Sequence, residues 1–286
     1  MSKKMKIEKK NKQKLPWLDV TDLDKCFEDI RNDIALIEKR IHDLGFEYVK
    51  KIKNQIIFSK NESVYKLRNS IQYRLKAILF HFTLLLDIQI KYQERIDQDP
   101  YNKEQSIKWM ILDKEQQYAL FDSIIFHIIS LFDYLGNLID YILCGKAQSK
   151  LKWNGVIGYS HNKNSLLSES IKYVLQKWHS QFINILYGHR SDLIHYKIDF
   201  GDSEYILDLG KSKANLIIES PRFFTNKFKE LKKLSAVNKI SINYSVEWLI
   251  KKSIEASKEI VESIFQAMDE KENLKKKKSN GNKSRI

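Results

Sequence analysis

The sequence predicts a mainly α-helical protein, a bundle of long helices with a small β-hairpin inserted near residues 198–218. Its 286 residues include only 9 Gly and 3 Pro, which leaves little material for the tight turns of sandwiches, barrels and propellers. Apolar residues make up 43% and aromatic residues 12%, enough to bury a core. Over long stretches the apolar residues recur at alternating spacings of three and four, the period of an amphipathic helix.

The first half of the chain is predicted to hold three long helices, at 21–45, at 61–98, and from a start between Gln105 and Asp113 to Cys144. Gly45 is expected to close the first helix and Gly145 to cap the third. The second is expected to stop before Pro100, because the residue that precedes a proline is driven out of the helical region. Residues 46–60 are mixed and indicate a short helix or strand.

The second half begins with a predicted loop at 146–164, which is rich in Ser, Asn and Gly and too long for a compact domain to keep without a use. A helix at 165–195 follows. Short β-prone runs separated by Gly and Asp then predict the hairpin. A short helix at 221–234 and a last long helix at 244–271 complete the predicted elements.

The net charge of +14 is concentrated at the two ends of the chain. Residues 1–14 carry seven Lys and one Glu, and residues 271–286 carry six Lys, one Arg and one Glu. Because they have almost nothing apolar to bury, 1–15 and 271–286 are predicted to be disordered basic tails on a single helical domain at 16–270. Such tails contact phosphate or an acidic membrane surface in some proteins, and in more of them they are solvated ends.

Several classes of function lack their signatures here. Neither of the Gly-rich phosphate-binding patterns occurs, and there is no GxSxG motif for a nucleophilic serine. Cys26 and Cys144 stand alone, and His81 and His127 are expected to be satisfied residues of helix faces, so no metal and no cofactor are predicted. Polar residues interrupt the apolar run 119–143, and no signal-peptide core is present, so a cytoplasmic protein without a transmembrane segment is expected.

One polar and basic stretch, residues 187–196, breaks the apolar pattern of its helix. Within it, Arg190, Ser191 and His195 resemble the RxxxxH motif of the HEPN superfamily (higher eukaryotes and prokaryotes nucleotide-binding domains). In that motif a polar residue follows the Arg, and the motif lies on a late helix of an all-α bundle. The preceding long helix is similar to the packing helix of such domains, so the resemblance covers roughly residues 113–200.

The resemblance implies a metal-independent ribonuclease that acts on RNA as a homodimer. A neutral His195 would accept the proton of a ribose 2′-hydroxyl while Arg190 donates paired hydrogen bonds to the phosphate, which yields a 2′,3′-cyclic phosphate. Ser191 would orient His195 or hold a phosphate oxygen. His189 or Tyr187 would line the groove by stacking on a base, and the alternative for these two residues is a place in the core or on the surface. A role as a toxin or defence effector, with an antitoxin or other regulatory partner, is implied by the family alone.

Two alternatives stay open at this point. One is a non-catalytic HEPN-like module that binds nucleotide, nucleic acid or a protein partner. The other is a scaffold in which Arg190 pairs with Asp192 or another surface acid and His195 caps a helix C-terminus. Geometry adds a constraint, because residues five apart lie about 140° apart around a regular helix. Either the helix ends or is distorted near Gly188, or two copies of the chain complete the site together.

Overall fold

The computed structural model describes residues 15–52, 63–99, 101–144, 152–162, 165, 167–195, 202–208 and 213–283. Helices predominate in this part of the chain, which confirms the predicted mainly α-helical bundle. They are α1 Leu23–Glu47, α2 Ser63–Gln98, α3 Lys103–Ile139, α4 Trp153–Ser160, α5 Glu169–Trp178, α6 Asn184–His195, α7 Arg222–Lys227, α8 Lys229–Ser235 and α9 Ile242–Lys283. Predictions for residues 1–14, Gly145 and 198–200 lie outside the described residues.

Three of these helices continue into a five-residue π-helical segment, whose turns are wider than those of an α-helix. The segments are Tyr48–Ile52 after α1, Asp140–Cys144 after α3 and His179–Ile183 after α5. The third joins α5 to α6, so that Glu169 to His195 form one continuous helix. The predicted helix at 165–195 is therefore confirmed from Glu169 onward.

The central helix of the bundle is α3. It packs along α2 and contacts α4, α6 and α9, while α1 and α5 pack against α9. Aromatic rings meet on its inner face: the ring centroid of Phe121 lies 4.9 Å from that of Phe224 in α7, and the centroid of Phe132 lies 5.8 Å from that of Trp153 in α4. All four side chains are fully buried. Such pairs add to the free energy of burial, so this core holds α4 and α7 on α3.

In the part of the chain that the structure describes, four short strands form two small sheets. They are β1 Trp17–Leu18, β2 Ser203–Asp208, β3 Lys213–Ile218 and β4 Lys239–Ile240. The antiparallel pair β2 and β3 confirms the predicted hairpin, whereas β1 pairs in parallel with β4. Glu204 of β2 accepts hydrogen bonds from Trp17 Nε1 at 3.0 Å and from Lys239 Nζ at 2.5 Å, which ties the two sheets together.

The predicted loop at 146–164 is wrong in part, because Trp153–Ser160 forms α4. The glycines of this segment predict a loop, but the packing of Trp153 against α3 overrides them. Gly136 of α3 makes the close approach possible, since a Cβ at this position would lie 3.2 Å from the Cα atom of Trp153.

Four helix boundaries also differ from the prediction. The helical segment that begins with α1 passes through Gly45 to Ile52. The start of α3 is earlier, because Asn102 Oδ1 accepts a hydrogen bond from the backbone N–H of Gln105 at 3.1 Å and caps the helix. The predicted short helix before α9 is the pair α7 and α8, separated at the extended residue Phe228. Finally, α9 continues to Lys283, so a helical backbone replaces most of the predicted C-terminal tail.

The helix Lys103–Leu143, which is α3 and its continuation, is the one helix among the described residues long and apolar enough to cross a membrane. Half of its most apolar stretch is buried inside the protein. The central helix of a bundle has the same composition, so this segment is no clear transmembrane span.

Candidate functional site

The motif singled out in the sequence lies on α6, which contacts α3 and α7. This helix is regular from Asn184 to His195, and the π-helical segment precedes it. The first of the two alternatives, in which the helix ends or is distorted near Gly188, is therefore wrong for this helix. Because residues five apart lie about 140° apart around a regular helix, one copy of α6 does not bring Arg190 and His195 onto one face.

Arg190 is half-buried, and its guanidinium lies against α3, with Cζ 5.3 Å from the centroid of the Phe126 ring. Among the residues that the structure describes, no carboxylate lies within ion-pair distance of this guanidinium. Asp192, its alternative partner, forms an ion pair with Lys227 of α7 instead. The interpretation in which Asp192 neutralises Arg190 is therefore wrong, and the guanidinium keeps its capacity for an anionic ligand.

Ser191 and His195 occupy the last turn of α6. Ser191 is exposed, and it precedes His195 by four residues, which places the two positions on one face of the helix. The backbone of His195 is the last of α6, and its side chain is outside the described part of the chain. The catalytic roles of Arg190, Ser191 and His195 stay predictions.

Tyr187 has a structural partner on α3. Its hydroxyl donates a hydrogen bond to Asp133 Oδ1 at 2.5 Å, and the same oxygen accepts the backbone N–H of Trp153 at 3.0 Å. Burial, and then the bond to Asp133, raise the pKa of Tyr187 well above its usual value, so the hydroxyl stays protonated. Asp133 thus connects α3 to α6 and to the start of α4. Tyr187 therefore has a structural role in this connection, and its stacking on a base stays a prediction.

His189 is buried, with 1% of its surface exposed, so its predicted place in the lining of a groove is wrong. Its ring packs between Phe223 and Phe224 of α7, at centroid distances of 5.8 and 5.2 Å. Neither ring nitrogen has a hydrogen-bond partner among the described residues. Burial, helped by the charge of Lys227 and opposed by Asp192, lowers the pKa of His189 to about 4.

This buried histidine predicts a loss of stability in acid. The folded-state pKa is about 4 against 6.5 for the free side chain, so between these values the unfolded state binds more protons. The free energy of unfolding should therefore fall as the pH drops from about 6.5 to 4, with His189 contributing on the order of 2 kcal/mol. Urea unfolding at pH 7 and pH 4.5 measures this. His189→Phe, whose ring suits the same apolar site, should reduce the pH dependence, and an unchanged dependence would contradict the assignment.

A second arginine, Arg74 of α2, lies beside the same phenylalanine as Arg190. Its Cζ is 5.8 Å from the centroid of the Phe126 ring, and its Nη1 donates a hydrogen bond to His127 Nδ1 at 3.0 Å. Burial, then the neighbouring His81 and Arg74, lower the pKa of His127 to about 4, so this imidazole is a neutral acceptor. The sequence does not predict that Arg74 lies near Arg190, because no spacing rule connects positions on two different helices.

Three surface cavities lie away from the motif on α6. Three of the cavities in the described part of the chain have volumes of about 340, 310 and 220 Å³. They are lined by α5 and its continuation, the segment around α7 and α8, and α9, and neither Arg74 nor Arg190 borders them. Among the described residues, no group of three or more His, Cys, Asp or Glu side chains is placed to hold a metal ion.

No protein-family model, curated protein or solved structure matches this chain. These comparisons therefore assign neither the fold nor the motif to a family. The side chains on α2, α3 and α6 carry the functional proposal, together with the resemblance of Arg190, Ser191 and His195 to the HEPN motif.

Proposed function

We propose that this chain is a HEPN-like ribonuclease that cleaves RNA without a metal ion and acts as a homodimer. The observation that carries the proposal is the state of Arg190. Its guanidinium has no ion-pair partner among the described residues, and it lies one position before the exposed Ser191 on a helix that ends at His195. An unneutralised guanidinium can grip two phosphate oxygens at once.

The chemistry uses a general base and a phosphate ligand. A neutral His195 accepts the proton of a ribose 2′-hydroxyl, and the 2′-oxygen attacks the adjacent phosphorus. The bond from phosphorus to the 5′-oxygen breaks, and this oxygen takes up a proton as it leaves. Arg190 stabilises the charge that builds on the other phosphate oxygens, and Ser191 orients the imidazole or holds one of those oxygens. The products are a 2′,3′-cyclic phosphate and a 5′-hydroxyl.

Two copies of the chain complete this site. The regular geometry of α6 separates Arg190 from His195, so Arg190 of one protomer acts with His195 of the partner subunit. The biological setting we infer from the resemblance is a cytoplasmic toxin or defence effector, restrained by an antitoxin or other regulatory partner.

Dimerisation through the end of α6 gives a direct test. Ile194 is 66% exposed and lies one turn after Arg190, so it is suited to an apolar contact between two copies. Sedimentation at micromolar concentration should report about twice the 34.0 kDa chain mass, and Ile194→Asp should yield monomers. Tyr173→Asp, at a residue of α5 that is 70% exposed, is the matched control and should leave the dimer intact. A wild-type monomer would contradict the shared site.

The second candidate function is a non-catalytic HEPN-like module that binds nucleic acid, nucleotide or a protein. It is favoured by the position of Arg190, which borders none of the three cavities described above. Such a module would bind RNA through Arg190 and leave it intact. Binding and cleavage measured on the same RNA separate the two functions.

A further inference from the structure

An arginine–aromatic surface lies where α2, α3 and α6 meet; its members are Tyr73, Arg74, Phe126 and Arg190. We propose that this surface binds single-stranded RNA, with Phe126 stacking on a base and the two guanidinium groups binding neighbouring phosphates. The inference rests on the proposed function, because it extends the Arg190 site along the RNA strand. It assigns substrate binding to two residues, Arg74 and Phe126, that the motif does not contain.

The geometry places two cations close to one exposed ring. Phe126 is 42% exposed and Tyr73 is 62% exposed, so two aromatic side chains stand in solvent on adjoining helices. The Cζ atom of Arg190 lies 5.3 Å, and that of Arg74 5.8 Å, from the centroid of the Phe126 ring. Arg74 Cζ also lies 5.4 Å from the centroid of Tyr73. The positive charges are therefore held at the edge of an apolar surface.

The charges of this surface are not neutralised by any carboxylate among the described residues. In the described residues neither Arg74 nor Arg190 has a carboxylate within ion-pair distance, whereas Arg40 is paired with Glu262. The group that holds Arg74 is His127, a neutral acceptor that fixes the guanidinium without cancelling its charge. Because the chain between its two basic ends is almost neutral, these two cations are a local feature and not part of a general excess.

Single-stranded RNA offers groups that match both the guanidinium groups and the aromatic rings of this surface. A phosphate lies on each side of every base, and unstacked bases stack on aromatic rings or on guanidinium planes. An acidic peptide would match the charges but leave the exposed rings without a role. The proposed dimer contact lies beyond Arg190, at the end of α6. A second copy that docked by a two-fold contact on Arg74 and Phe126 would bring Arg74 toward its own equivalent, which costs free energy.

The test measures binding of a single-stranded 2′-O-methyl RNA by fluorescence anisotropy, because this RNA lacks the attacking hydroxyl. Arg74→Ala should weaken binding about tenfold or more and lower the slope of log affinity against log salt by about one. Phe126→Ala should weaken it about 5- to 100-fold. The matched control is Arg95→Ala, since Arg95 on α2 also stacks on a ring of α3, with Cζ 4.3 Å from the Trp109 centroid. It lies about 30 Å along the helix from Arg74, and its loss should change affinity less than twofold.

Three results would overturn the surface: no binding by the wild type at low salt, equal losses in Arg74→Ala and Arg95→Ala, or dissociation of a wild-type dimer in Arg74→Ala. Arg74→Lys controls for the fold, because it keeps the charge, and with unchanged thermal unfolding it should recover part of the affinity. Cleavage of unmodified RNA is scored separately. Binding that depends on Arg74 and Phe126 without cleavage supports the surface and contradicts only the ribonuclease, whereas cleavage that is indifferent to both residues contradicts only the surface.

Discussion

His195→Ala is expected to lower the rate of RNA cleavage by roughly 10²- to 10⁴-fold, the usual range for loss of a general base. Arg190→Lys should be nearly as damaging, because it keeps a positive charge but loses the planar fork that grips two phosphate oxygens. Both positions lie at or near the end of α6, and Arg190 contacts the exposed ring of Phe126 and not the buried rings of α3, so both variants should stay folded. Their activities therefore report on chemistry and not on stability.

The measurement is cleavage of a single-stranded RNA in excess EDTA, with the product ends analysed for a 2′,3′-cyclic phosphate. Wild-type activity that disappears in EDTA would contradict the metal-free mechanism. Full activity in His195→Ala would remove this residue from the site. RNA binding by the wild type without cleavage would favour the non-catalytic module.

Asp133→Ala is expected to destabilise the protein by roughly 2–5 kcal/mol, the largest effect on stability that we predict. Its carboxylate accepts both the Tyr187 hydroxyl and the backbone N–H of Trp153. Removing it leaves two partly buried donors without an acceptor and frees the start of α4 from α3. Urea unfolding followed by circular dichroism measures the change.

Three variants calibrate this prediction. Asp133→Asn keeps an acceptor oxygen and should recover most of the stability. Tyr187→Phe removes one of the two donors and should cost about 1 kcal/mol. Glu115→Ala, at an exposed position of the same helix, should change stability by less than about 0.5 kcal/mol. A loss in Asp133→Ala no larger than that in Glu115→Ala would show that the connection between α3, α4 and α6 carries no stability.

Local patterns predict the long helices well because each buries one continuous stripe. The apolar spacing of α2 and the proline that follows it predict its end at Gln98, which the structure confirms. The same reasoning fails for α4, where two glycines lower helix propensity and only contact with α3 restores it. It also misses β1, a two-residue strand whose partner β4 lies far along the chain, so that no local signal marks it.

In the site too, local features could be predicted from the sequence and features set by tertiary contacts could not. The spacing of Arg190, Ser191 and His195 in the sequence predicts a site on one helix, and the structure confirms that helix. The sequence does not predict that His189 is buried or that Tyr187 donates a hydrogen bond to Asp133, because both depend on how α3 and α7 pack against α6. The sequence could not predict that Arg74 lies beside Phe126, because that distance is set by the packing of α2 on α3.

The π-helical segment His179–Ile183 makes the direction of the motif depend on how many residues precede it, and not only on which residues they are. Each residue of an α-helix adds about 100° of rotation, so losing one residue here would turn α6 by about that angle relative to α5. Arg190 would then lose its contact with Phe126, although the sequence of the motif would be unchanged. In evolutionary terms, two chains identical over residues 187–196 share this site only if they also share the length of the segment before it.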